Sequence, residues 1–300
     1  MRLCVGAYYQ RLRWAMSSDI SKRIHDGYLT FSKGHKRIAD AVLHEYDKVA
    51  YMTAKKLGRF VNVSESTVVR FCAVLGYEGY SEFQDAMQEL VHKKLTPNQR
   101  ISITRERIGN IDVLESVMES DISKIRRTLS SIDRTTFDKS VSSILAARRI
   151  FVMGARSSEA LAMLLNYNLS LIFDNVKFIR PSSSAEVFEQ IFSICRGDLM
   201  IAFSFPRYST KIINAVKFAK QRGADVIVVT DTPSSPLVEY ATHALFAQSD
   251  MASFSDSLVA PISIINSLII EITNRSGNRI TERFDRLEKI WDEYNVYSTK

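Results

Sequence analysis

Two sets of residues in this 300-residue chain have the types and spacing to bind anions. The first is Thr53 with Lys55 and Lys56, followed by Ser64-Glu65-Ser66-Thr67 and Arg70. Arg70 could bond guanine O6 and N7 together, and the short hydroxyls reach phosphates or base edges. Lys55, Lys56 and Arg59 suit flanking phosphates. Glu65 has the wrong charge for phosphate; it could accept from cytosine N4 or simply cap a helix, and both readings stand. The second set lies in two loops, Gly154-Ala-Arg156-Ser157-Ser158 and Ser204-Phe-Pro-Arg207-Tyr-Ser209. A phosphate ester is best held by N–H groups at a helix N-terminus together with hydroxyl donors, and these loops offer both. The ordinary reading of any one of these serines is a helix cap. A whole set converging on one edge is harder to explain that way.

The elements needed to position the first set are short helices. Apolar spacing predicts one over Ile20–Tyr28 and a second after the cap Ser32. Thr53 caps a third, ending near Phe60, and Ser64 caps a fourth, Glu65–Leu75, closed by Gly76. A fifth runs from about Ser81 to His92. The third and fourth, joined by a three-residue turn, have helix-turn-helix spacing, which turns the first residues of the second helix toward base edges. Lys93–Asn110 is polar, contains Pro97 and reads as a linker. Helices over Ile111–Leu129 and Thr135–Ala147 follow.

The second set needs a different frame. Apolar runs at 149–153, 176–179, 199–203, 225–230 and 244–247 alternate with helical stretches, the signature of a parallel sheet covered on both faces. In such folds ligands bind outside the carboxyl ends of the strands. That points to the loops Gly154–Ser158, Pro181–Ser184, Ser204–Thr210 and Thr230–Ser235.

Charge divides the chain in the same way. Residues 1–100 hold 16 Lys/Arg against 10 Asp/Glu, a balance of +6, and the remaining 200 residues contribute +1 of the total +7. A basic first third on a near-neutral remainder suits an anion-binding module fused to something else. Hydrophobic residues at 46% and charged residues at 24% exclude disordered, collagen-like and coiled-coil classes. No apolar run is long enough for a membrane span, and the start of the chain makes a poor signal peptide. Three scattered cysteines without a C-x-x-C argue against a disulfide framework or cysteine–zinc site and suit a reducing cytoplasm. No metal or other cofactor is expected.

The runs Arg37-Ile-Ala-Asp40, Val49-Ala-Tyr-Met-Thr-Ala54, Val63-Ser-Glu-Ser-Thr-Val-Val-Arg-Phe71 and Leu75-Gly-Tyr-Glu-Gly-Tyr-Ser-Glu-Phe83 resemble the N-terminal domain of RpiR/MurR-type bacterial transcription regulators. The resemblance implies a C-terminal sugar isomerase (SIS) domain that binds sugar phosphates. Together with the polar linker and the strand–helix alternation, it gives the division 1–16 extension, 17–95 helix-turn-helix domain, 96–130 linker and connecting helix, 131–275 SIS domain and 276–300 helical tail. The SIS patterns G-x-G-x-S and S-x-S-G-x-T are altered here. Arg156 replaces the second Gly of the first, and Pro206 and Arg207 replace the inner Ser and Gly of the second. Both loops become more cationic, and the second stiffer.

The resemblance implies a cytoplasmic, sequence-specific repressor, or less often activator, of a carbohydrate catabolism operon, acting as a homodimer or homotetramer on operator DNA. Its effector would be a sugar phosphate, a carboxylated sugar or a polyol. An isomerase or lyase with an accessory helical domain is the alternative, and a third reading is an architectural protein whose SIS domain only dimerises. Glu159, Glu186, Glu189, Asp231, His243 and Asp256 could serve as a base, but none forms a recognisable catalytic pair. The nearly all-apolar stretch Leu258–Thr273 belongs in a core or a subunit interface.

Overall fold

The computed structural model describes residues 20–94, 97–108, 112–180, 183–250, 253 and 255–297. The expected N-terminal extension falls outside them. The chain divides into two units, residues 1–100 and 101–300.

The first unit is all helical: α1 Ile20–Gly27, a 3-10 turn Tyr28–Thr30, α2 Lys33–His44, α3 Tyr46–Val49, α4 Ala54–Phe60, α5 Glu65–Val74 and α6 Tyr80–Lys94. Three starts are set by their caps: Ser32, Thr53 and Ser64 accept from the N–H groups of His35, Lys56 and Thr67. Each bond satisfies a donor that a helix start leaves orphaned. Gly76, at φ 86°, ends the α5 region as a left-handed glycine does. The core closes on Phe71, which meets Phe31 and Phe83 edge-on at 5.5 and 6.2 Å. Such aromatic pairs add to the burial of their rings.

α7, Pro97–Ile108, occupies most of the stretch expected to be a linker. Pro97 stands at its first position, where a missing N–H is harmless, so the proline starts a helix rather than breaking one.

The second unit has α8 Val113–Ser131 and α9 Arg134–Ala146, then β1 Ile150–Gly154, α10 Ser157–Ile172, β2 Val176–Ile179, α11 Ser184–Ile191, β3 Leu199–Phe203, α12 Thr210–Gln221, β4 Asp225–Thr230, β5 His243–Phe246, α13 Val259–Ser276 and α14 Asn278–Glu293. The five strands are parallel in the order β2-β1-β3-β4-β5. Alternate residues feed two cores: Ile150, Val152, Ile201 and Val229 face one, Phe151, Met153, Met200 and Val228 the other. A sheet buried on both faces requires the continuous apolar runs that the sequence contains. The connection leaves β1 for β2 on one side and returns to β3 on the other, so the switch point lies between β1 and β3.

At the opposite, amino ends of β1 and β3, Asp198 is fully buried and accepts from the guanidiniums of Arg148 and Arg149 and from the Cys195 N–H. Burial alone would push this carboxyl up, but those hydrogen bonds, Arg149 foremost, carry it below its ordinary value. α8 is fastened by Asp121, which accepts from Ser257 at 2.8 Å, and by Thr128, which accepts from the Gln248 N–H at 2.9 Å.

Candidate functional site

In the first unit, α4 and α5 meet through a tight turn. A Cβ at Gly58 would stand 2.9 Å from the Val63 carbonyl oxygen, so only glycine permits this approach. Asn62 supplies the left-handed residue of the turn, φ 55°. Val68, Phe71 and Cys72 face inward, and burial pushes the Cys72 thiol up to about 12. The remaining faces of α5 are left for contact. Ser64, Glu65, Ser66 and Arg70 are exposed and Thr67 is half-buried. The Ser64 hydroxyl bonds those of Ser66 and Thr67 at 2.9 and 2.8 Å, which fixes a compact hydroxyl cluster at the helix start. On the preceding helix Lys55, Lys56 and Arg59 are exposed, and Thr53 is exposed beside its cap bond. All eight residues expected to contact DNA therefore belong to one helix pair. The arrangement presents hydroxyls and one guanidinium on the reading helix, with cations on its partner.

In the second unit, the expected effector residues gather at the carboxyl ends of β1 and β3. Gly154 pairs with Phe203, which places Ser204 next to the first loop. A Cβ at Gly154 would lie 2.2 Å from the Ser158 carbonyl oxygen, so glycine is required for α10 to start this close to the strand. Ser158 and Ser204 are only 5% and 4% exposed, and neither hydroxyl bonds a described residue. Ser157 stands exposed in the first turn of α10. Ser209 sits at the start of α12 without capping it through its side chain. Arg156 and Arg207 are exposed, form no ion pair with a described residue, and have φ 58° and 68°. L-residues rarely adopt such values.

One expectation changes in detail. The N–H groups of Ser158 and Glu159 are already directed to the carbonyls of Ala155 and Arg156, so the helix start offers fewer free donors than a phosphate cradle would. The fourth loop adds polar groups that attracted no assignment as ligands. The Tyr208 hydroxyl donates to Asp231 at 2.8 Å, and the Thr230 hydroxyl, which also bonds that of Ser235 at 2.9 Å, donates to Asp231. Of the possible bases, His243 is tied to Ser143 of α9 at 3.2 Å, and burial foremost lowers its pKa. Asp231 is held in the network above, and Glu186 lies in the first turn of α11. Among the described residues no three His, Cys, Asp or Glu side chains group as a metal site. No described helix is long and apolar enough to cross a membrane.

A groove of about 390 Å³ lies away from the sheet edge, between α8, α9 and α13. Ile125, Leu129, Phe137, Ile264, Ile270 and Glu271 are among the residues lining it. Leu129 and Ile270 are 58% and 61% exposed.

Two family models match the chain: a helix-turn-helix domain of the rpiR family over residues 18–94 and a SIS domain over residues 143–271. An HTH-type transcriptional regulator of Haemophilus influenzae is 27% identical over 235 residues, 77% of this chain and 80% of its own length. The sugar isomerase domain of an RpiR transcription factor from Sphaerobacter thermophilus is 26% identical, with a TM-score of 0.56 over 58% of this chain and 97% of that one. Vibrio vulnificus NanR, solved in complex with ManNAc-6P, shares the fold over 94% of this chain and 100% of its own, at 22% identity and a TM-score of 0.57.

Proposed function

The chain belongs to the RpiR-type helix-turn-helix transcriptional regulators that carry a SIS domain, and from that premise we propose that it is a cytoplasmic, effector-controlled repressor of a carbohydrate catabolism operon. Ser64, Glu65, Ser66, Thr67 and Arg70 read the operator, while Thr53, Lys55 and Lys56 hold its phosphates. The effector is a sugar phosphate bound outside β1 and β3 by Arg156, Ser157, Ser158, Ser204, Arg207 and Ser209, with Gly154 letting α10 approach.

One observation carries the effector reading. Two nearly buried hydroxyls, Ser158 and Ser204, lack partners among the described residues and lie beside two unpaired guanidiniums at the topological switch point. Neither oxygen is among the fully buried, partnerless polar atoms, so both hydroxyls stay accessible and can donate to a bound anion. The complex of NanR with ManNAc-6P on the same fold supports this class of ligand. Asp231 and Tyr208 would meet sugar hydroxyls. The protein is proposed to bind rather than turn over this ligand, since Asp231 is held by Tyr208 and Thr230 and His243 lies at the opposite, amino end of β5, bonded to Ser143.

The apolar groove between α8 and α13 is read as the contact with a second copy. Its exposed Leu129 and Ile270 suit a two-fold pairing of SIS domains. Effector binding then changes operator affinity by its differential affinity for the two states of the dimer.

Thermal unfolding of the purified chain with a panel of sugar phosphates tests the effector reading. A ligand at a hundred times its Kd should add about 2.7 kcal/mol of stability. The shift should shrink in Ser204→Ala and Arg207→Gly. Stabilisation by unphosphorylated polyols alone would contradict the assignment, and turnover of a phosphosugar would favour an isomerase.

A further inference from the structure

We infer that the reading helix does not meet DNA alone: the start of α2, Ser32 to Arg37, is a second phosphate-contacting edge of the same surface. The inference rests on the reading of α4 and α5 as the DNA-binding pair. α2 comes close to α5 at Thr67, one of the assigned reading residues. A Cβ at Gly34 would stand 3.3 Å from Thr67 Cγ2 and 3.7 Å from Val63 Cγ1. The next residue of α2, His35, packs its ring on Phe71, one turn beyond Thr67 in α5, with centroids 5.6 Å apart. Arg37 Nη1 donates to the carbonyl of Asn62, in the turn itself, at 3.3 Å. The first turns of α2 therefore run beside the first turns of α5.

Dimensions decide what that flank must meet. A helix with its side chains is about 10–12 Å across, and the major groove is about 12 Å wide. A reading helix seated in the groove fills it, so a segment packed on its side near the N-terminus stands at the phosphate wall. The segment has the chemistry for this. Lys33, Lys36 and Arg37 fall within five residues, and no Asp or Glu occurs between Ser32 and Ala39. Lys33 and Arg37 are exposed and form no ion pair with a described residue. The Lys36 ammonium is held over the Tyr28 ring at 5.5 Å, which limits its freedom. Gly34 allows the close approach, since any side chain there would enter the seam with Thr67.

Fluorescence anisotropy of the full chain on two labelled short duplexes tests this. One duplex is selected from a random library for binding to the wild type, and the other is unselected. In Lys33→Ala/Arg37→Ala the slope of log K against log salt should fall by about 1.8, about 0.9 for each lost phosphate contact. Both duplexes should weaken by the same factor, so the preference between them survives. Arg70→Ala should instead erode that preference. Lys33→Ala alone, which removes no contact within the fold, should lower the slope by about 0.9, half of that change. Wild-type affinity and slope in both lysine variants would overturn the inference and leave the α4–α5 reading intact. Failure of the wild type to prefer any selected duplex would sink both.

Discussion

Arg156 and Arg207 occupy backbone that favours glycine, with φ 58° and 68°, and Arg156 combines this with ψ −128°. Non-glycine residues there cost of order 1–3 kcal/mol each. Neither side chain forms an ion pair with a described residue to offset that cost. Arg156→Gly should therefore stabilise the free protein by about 1 kcal/mol in urea unfolding while weakening binding of an anionic effector. A destabilised variant would mean that Arg156 supports the fold instead. At this scale the sequence was informative where the chemistry is local. Ser32, Thr53 and Ser64 were readable as caps because a hydroxyl just ahead of a helical pattern bonds within its own first turn. The sign of φ at Arg156 and Arg207 was not readable, because it depends on how closely each strand end approaches the next helix.

The strands were legible because burial on both faces leaves continuous apolar runs, and all five expected runs became strands within a residue or so of their predicted limits. α7 was not, because a polar stretch with a proline looks the same whether Pro97 ends a linker or opens a helix. Nor was the pairing of Asp198 with Arg148 and Arg149, since partners 50 residues apart in sequence leave no periodic signal. The same holds for α2 beside α5, which only the packed fold brings together. Asp198 joins the amino ends of β1 and β3, so Asp198→Asn should cost about 2–3 kcal/mol, discounted because both arginines are partly exposed. With its pKa depressed in the fold, Asp198 contributes stability above its ordinary value of 3.8, and that contribution is lost as pH falls through the lower folded value. Stability of wild type and variant should therefore converge in acid. An unchanged difference at low pH would show that the loss comes from packing rather than charge.

Across the whole molecule, the proposed work is divided between a basic helical unit, whose cations and hydroxyls would meet a polyanion, and a near-neutral α/β unit, whose sheet edge would bind an anion. The charge division was readable from the sequence, and the two family matches fall on the same two regions. Regulation requires that the two sites be energetically coupled, with each ligand altering the affinity of the other by the same factor. Coupling through the proposed dimer also requires the α8–α13 groove, so Ile270→Asp should yield a monomer in sedimentation and abolish the effector's influence on DNA. The most direct measurement is anisotropy on DNA from upstream of the chain's own gene, at fixed salt, with and without the sugar phosphate that stabilises the protein. The account predicts tighter binding than to random DNA and a change of about 5–150-fold when that compound is added. Specific binding that no stabilising compound alters would contradict it.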